Sequence, residues 1–200
     1  VGGGIGTIVI AVIVLLLGGD PSQVVNSLQQ EPVQSESFQV SAEEEEMADF
    51  VSIVLAGTED VWTKVFAESG MTYRRPTLVL FRDQVQSACG SASASSGPFY
   101  CPGDEKVYID LSFFDDLKTN YGAYGDFAIA YVVAHEIGHH VQNLLGILED
   151  VNKQRAELNQ TRSNQLLVRL ELQADFLSGM WANHDQKMFG SLETGDVEEA

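Results

Sequence analysis

Ala134-His135-Glu136-Ile137-Gly138-His139-His140 decides the reading of this chain, because it gathers three of the four histidines around one glutamate. The residues before it, Asp126-Phe127-Ala128-Ile129-Ala130-Tyr131-Val132-Val133-Ala134, contain no Gly or Pro and are mostly apolar. They predict a helix that enters the motif from a buried face. At about 3.6 residues per turn, His135 and His139 lie one turn apart on one face, so both imidazoles reach a single metal ion. Glu136 sits beside that face, where a carboxylate can take a proton from a water that the metal activates. This is the H-E-x-x-H pattern of zinc hydrolases, with Zn2+ as the implied cofactor and Glu136 as general base. The competing reading makes these histidines ordinary core or surface residues, and a third ligand decides between them.

Catalytic zinc usually has three protein ligands, so another His, Asp or Glu is expected downstream on a second element. Glu171 and Asp175 are four residues apart in Arg169-Leu170-Glu171-Leu172-Gln173-Ala174-Asp175-Phe176-Leu177, hence on one face of a helix and set among apolar neighbours. An unpaired carboxylate buried there costs several kcal/mol, whereas zinc or a ligand histidine compensates it. We therefore expect Glu171 at the metal and Asp175 behind it, accepting a ring N–H from His135 or His139 and fixing its tautomer. The alternative is a solvent-facing cluster of Arg169, Glu171 and Asp175.

With these residues in place, the chain resembles the bacterial putative neutral zinc metallopeptidases, a zincin-type family. The resemblance is carried by four blocks in order: Gly97-Pro98-Phe99-Tyr100-Cys101-Pro102, Val107-Tyr108-Ile109-Asp110-Leu111-Ser112-Phe113-Phe114, residues 130–142 around the motif, and Glu171-Leu172-Gln173-Ala174-Asp175. It spans nearly all of residues 1–200. It implies a zincin-like α+β domain, mainly helical with a small sheet, zinc ligands His135, His139 and Glu171, and Glu136 as the catalytic base. The Glu-x-x-x-Asp pair is similar to the third-ligand helix of the glutamate zincins. Members of the family, as the resemblance implies, continue past the point corresponding to Ala200, so part of the domain is expected to lie beyond it.

Composition agrees with one catalytic domain, since 200 residues that are 44% hydrophobic fill one core of normal size. The net charge of −18, with only 11 Lys and Arg, repels nucleic acid and anionic lipid over most of the surface, so no nucleic-acid partner is expected. Residues 1–19 carry no charge and read as a single-pass anchor, although their strictly apolar core is shorter than the roughly 20 residues needed to span hydrocarbon. A cleaved signal peptide and a buried strand are the rivals; Leu17-Gly18-Gly19-Asp20-Pro21-Ser22 offers no A-x-A cleavage site. Residues 20–40, with Pro21 and Pro32 and no clear period, read as a flexible linker, leaving 41–200 as the peptidase domain.

Ser41 and Glu44 form a capping-box pattern, and the acidic run 43–46 falls in a first helical turn, where the helix dipole favours it. Phe50, Val54, Val61, Trp62, Val65 and Phe66 continue the apolar stripe of a helix, or of a helix pair broken near Gly57. Residues 77–81 and 107–111 read as strands joined by a hairpin-like loop. In zincins an edge strand beside the motif helix holds extended substrate, and we expect 107–111 to be that strand, against an equal reading as an internal one. Cys89 and Cys101 bracket a small polar segment, where a disulfide contributes about 3 kcal/mol and persists only outside a reducing cytosol. Zinc ligation by these thiolates is the alternative, without a Cys-x-x-Cys pair to support it. Residues 151–182 keep helical spacing, so a long helix is expected to carry Glu171. Gly146 ends or bends the motif helix, and Gly138 permits close helix approach.

The expected activity is zinc-dependent hydrolysis of peptide bonds in a peptide or protein substrate, by a domain tethered to the bacterial cytoplasmic membrane and facing outside or the periplasm. A catalytically silent, zinc-stabilised interaction module at the membrane is the second reading. A di-iron oxidoreductase is disfavoured because no second Glu-x-x-His pair occurs. Tyr108, Tyr121, Tyr124 and His184 are the candidates for stabilising an oxyanion, and His140, turned about 100 degrees from His139, is expected to pack or to support a ligand.

Overall fold

The computed structural model describes residues 41–93, 96–121 and 125–196. The anchor expected over 1–19 and the linker over 20–40 lie outside the described residues. Among the described residues no helix is long and apolar enough to cross a membrane.

Helix α1 (Ala42–Glu68) starts where the capping box predicts: the Ser41 hydroxyl accepts the Glu44 N–H, and the Glu44 carboxylate accepts the Ser41 N–H at 2.8 Å. It is one unbroken helix rather than a pair. Gly57 does not break it but makes room: a Cβ there would stand 3.2 Å from Asp185 Oδ1. Val51, Val61, Trp62 and Phe66 bury one face in the core.

The strands are β1 (Thr77–Phe81), β2 (Gln84–Ser87), β3 (Gly90–Ser93), β4 (Phe99–Cys101) and β5 (Lys106–Asp110). They form a three-stranded sheet in the order β1-β5-β4 and a separate β2-β3 hairpin. β5 runs parallel to β1, with Val79 opposite Tyr108, and antiparallel to β4, with Tyr100 opposite Val107. This corrects one expectation: the strand at 106–110 is internal, and the edge strand next to the motif helix is β4. Burial explains the arrangement, since Val107, Tyr108, Ile109 and Asp110 are all buried, as a central strand requires. Asp110 tolerates this because its carboxylate accepts N–H groups from Asp83 and Ser112 and the Ser112 hydroxyl.

Cys101, the last residue of β4, forms a disulfide with Cys89 in the β2–β3 turn, so the edge strand is stapled to the hairpin. After α2 (Phe113–Tyr121) come α3 (Asp126–Leu144), α4 (Ile147–Ala156) and α5 (Gln160–Phe189). Gly146, at φ 76°, makes the left-handed turn between α3 and α4. The helical pattern over 151–182 is two helices rather than one. Asn159 caps α5 by accepting the Arg162 N–H at 3.1 Å, and the chain breaks there. α3 is the hub and packs against α1, α4, α5 and β4. Val133, Ile137 and Val141 supply its core face.

Candidate metal centre and its cleft

The two helices that carry the motif residues can meet only because Gly138 has no side chain. A Cβ at Gly138 would lie 2.9 Å from the Ala174 carbonyl oxygen and 3.1 Å from its Cα, so α3 and α5 touch backbone to backbone at this point. Contact at Ala174 sets Glu171 and Asp175, on the neighbouring turns of α5, over the histidine face of α3.

His135 Nε2 stands 3.4 Å and His139 Nε2 3.2 Å from Glu171 Oε2. One donor atom from each of the three residues falls within 4.8 Å of the others, the one such group among the described residues. Donors at zinc bond lengths of about 2.0–2.1 Å in a tetrahedron stand about 3.3 Å apart, so the observed spacings fit this ion. The far sides of both rings are held as well. His135 Nδ1 is 2.9 Å from Asp175 Oδ1, and a carboxylate accepts there, so Nδ1 carries the proton and Nε2 keeps its lone pair. Gln142 does the same for His139 by elimination. Its Nε2 donates to the Leu170 carbonyl at 2.7 Å, which turns Oε1 toward His139 Nδ1 at 2.9 Å to accept that N–H. Both imidazoles are thus preset as Nε2 ligands.

Glu136 is 7% exposed and shares a cleft of about 360 Å³ with His135, His139, Glu171, Tyr100 and Leu170. Burial pushes its carboxyl up to about 7; the His139 imidazole opposes that shift, the Glu171 carboxylate adds to it, and the Tyr100 backbone N–H opposes it. A carboxyl in that range exchanges protons in both directions near neutral pH. Pro98, Phe99 and Pro102 form the β4 side of the cleft, and Leu148 and Asn152 of α4 close another. His140 is fully buried on a different side of α3, and burial holds its pKa below the usual histidine value.

The structure brings together His135, Glu136, His139, Glu171 and Asp175. The proposed oxyanion donors fare differently. Tyr108 sits on the internal strand β5, with its hydroxyl 2.7 Å from Asp104 and its ring stacked on Phe99. His184 is on α5, about 20 Å along the helix axis from Glu171. The Tyr121 side chain and Tyr124 lie outside the described residues. Sequence reading missed Gln142 and Tyr100. Gln142 is three residues past His139, a spacing that signals a shared face, but its partner Leu170 comes from another helix.

Over residues 1–200 the chain matches the family described as putative neutral zinc metallopeptidase. The chain belongs to this family. It is 45% identical over 199 residues to the uncharacterized protein YpfJ of Escherichia coli K12, an alignment covering 98% of this chain and 69% of that protein. It is 50% identical over 111 residues to the uncharacterized protein Rv2575 of Mycobacterium tuberculosis H37Rv, covering 55% of this chain and 36% of the relative. No solved structure matches it. Membership implies zinc, and the donor set formed by this chain's own residues is one that zinc fits.

Proposed function

We propose that this protein is a zinc-dependent peptidase in which His135, His139 and Glu171 hold the ion and Glu136 is the general base. The observation that carries the reading is the convergence of His135 and His139 Nε2 on Glu171 Oε2 at 3.4 and 3.2 Å, with both histidine Nδ1 atoms already engaged. Zinc, when bound, supplies Lewis-acid polarisation of a carbonyl and a lowered pKa for water. The proton work belongs to Glu136. Its carboxylate takes a proton from water as the water oxygen bonds to the scissile carbonyl carbon, and it returns that proton to the amine nitrogen as the C–N bond breaks. Asp175 holds His135 and Gln142 holds His139 throughout.

The substrate in this reading is a peptide or unfolded protein segment, lying extended along the free edge of β4 in the manner of the zincins. We extend the reading to location: residues 1–19 anchor the domain in a bacterial cytoplasmic membrane, and the catalytic part faces outside or the periplasm. The Cys89–Cys101 disulfide supports an oxidising compartment. The charge of −18 supports a partner other than nucleic acid.

Equilibrium dialysis against zinc, followed by metal analysis, tests the ligand set. One zinc per chain is expected for the wild type, with affinity reduced by about a hundredfold or more in Glu171→Gln. Equal zinc affinity in Glu171→Gln and wild type removes Glu171 from the site.

A further inference from the structure

His140 takes no part in the donor set, yet it is fully buried and both its ring nitrogens are used. The Arg74 carbonyl oxygen lies 2.6 Å from Nε2 and can only accept, so Nε2 carries the proton. Nδ1 is then the acceptor, and the Tyr100 hydroxyl donates to it at 2.9 Å. The Tyr100 oxygen accepts in turn from Asn143 Nδ2 at 3.0 Å. The chain of donation has one direction, from Asn143 through Tyr100 and His140 to Arg74. Tyr73 and Tyr100 also pack edge-on against the imidazole, at 5.6 and 5.2 Å.

These contacts join segments that the backbone leaves far apart. His140 and Asn143 follow His139 on α3, Tyr100 is the middle residue of β4, and Arg74 belongs to the segment leading into β1. β4 is only three residues long and, among the described residues, pairs with β5 alone, so its ladder holds it weakly. Yet β4 forms one side of the cleft, and Tyr100 and Glu136 line it together. The disulfide at Cys101 ties this strand to the β2-β3 hairpin, not to the motif helix. Tyr100 links it directly to α3 in two ways, by its backbone N–H on the Glu136 carboxylate and by its hydroxyl, which joins His140 and Asn143.

We propose that Tyr100, His140 and Asn143 are positioning residues that lock the edge strand β4 to the motif helix, fixing the cleft wall that Tyr100 shares with Glu136. This rests on the peptidase reading. The network acts on turnover rather than on metal binding, because none of its side chains contacts the donor atoms. The imidazole polarity is also reversed along the motif: His135 and His139 are protonated at Nδ1, and His140 at Nε2.

The test uses the zinc-loaded full chain. Nitrogen-15 NMR of labelled histidines is expected to give the Nε2–H tautomer for His140 and the Nδ1–H form for His135 and His139. Tyr100→Phe keeps the ring and deletes the hydroxyl. With fluorescein-labelled casein as probe, it is expected to lower kcat by about tenfold or more, with KM changed by less than about threefold and zinc content retained. Amide exchange in β4 should speed up by about tenfold, while β5 exchange holds. His140→Gln, whose amide can donate to Arg74 and accept from Tyr100, should recover most of the kcat that His140→Leu loses. A Tyr100→Phe kcat within about twofold of wild type overturns the proposal, as does a His140→Gln variant no better than His140→Leu. If the wild type does not cleave casein at all, the peptidase reading fails, and the tautomer and exchange results alone decide whether the lock exists.

Discussion

Gln142 and Asp175 determine which nitrogen of each imidazole carries the proton, and so which atom is left to meet a cation. Their contributions are unequally visible in sequence. Asp175 stands four residues after Glu171, so a shared helical face could be read directly, whereas which histidine it meets, His135 at 2.9 Å, was open between His135 and His139. Gln142 acts through the Leu170 carbonyl of another helix, and a backbone acceptor leaves no mark in a residue pattern. Its importance can be measured. Gln142→Leu leaves His139 Nδ1 without an acceptor while preserving much of the side-chain bulk, and it should weaken zinc binding by about 10–100-fold. A competition titration against a chromogenic chelator reads this directly, and an unchanged affinity would show that His139 needs no such partner.

The centre exists only because α3 and α5 approach closely, and Gly138 sets that distance. Gly138→Ala gains about 1 kcal/mol in helix propensity but forces a methyl group to within 2.9 Å of the Ala174 carbonyl. Overpacking of this kind costs roughly 1–3 kcal/mol, so a net loss of stability on the order of 1 kcal/mol is expected, with weaker zinc binding because Glu171 moves with α5. Urea unfolding of the metal-free protein measures the first effect; a stability equal to or above wild type would mean that the helices part without cost. Helices were the legible part of this fold, since α1, α3 and much of α5 follow from apolar spacing and the capping box at Ser41. The break at Asn159 was hidden because the apolar period runs on through it. Strand order was hidden for another reason. Phe99–Cys101 is too short to show a period, so its place at the cleft edge follows from pairing with β5, a tertiary fact that put β5 inside and β4 outside.

Across the whole molecule, the residues from Ser41 onward form one unit in which the disulfide secures the strand that walls the cleft. Closing a loop with a sequence separation of 12 contributes about 3 kcal/mol in the chain-entropy model. Denaturant unfolding of the oxidised protein and of Cys89→Ser/Cys101→Ser should differ by about that amount; coincident curves would mean that packing alone holds β4. The most direct test of the central claim compares the zinc-loaded wild type with Glu136→Gln for both metal content and cleavage of an unstructured peptide. Equal zinc in the two forms, with cleavage in the wild type and its loss by several orders of magnitude in Glu136→Gln, is the predicted result. Full zinc occupancy with no cleavage in the wild type, or cleavage that survives in Glu136→Gln, would contradict it.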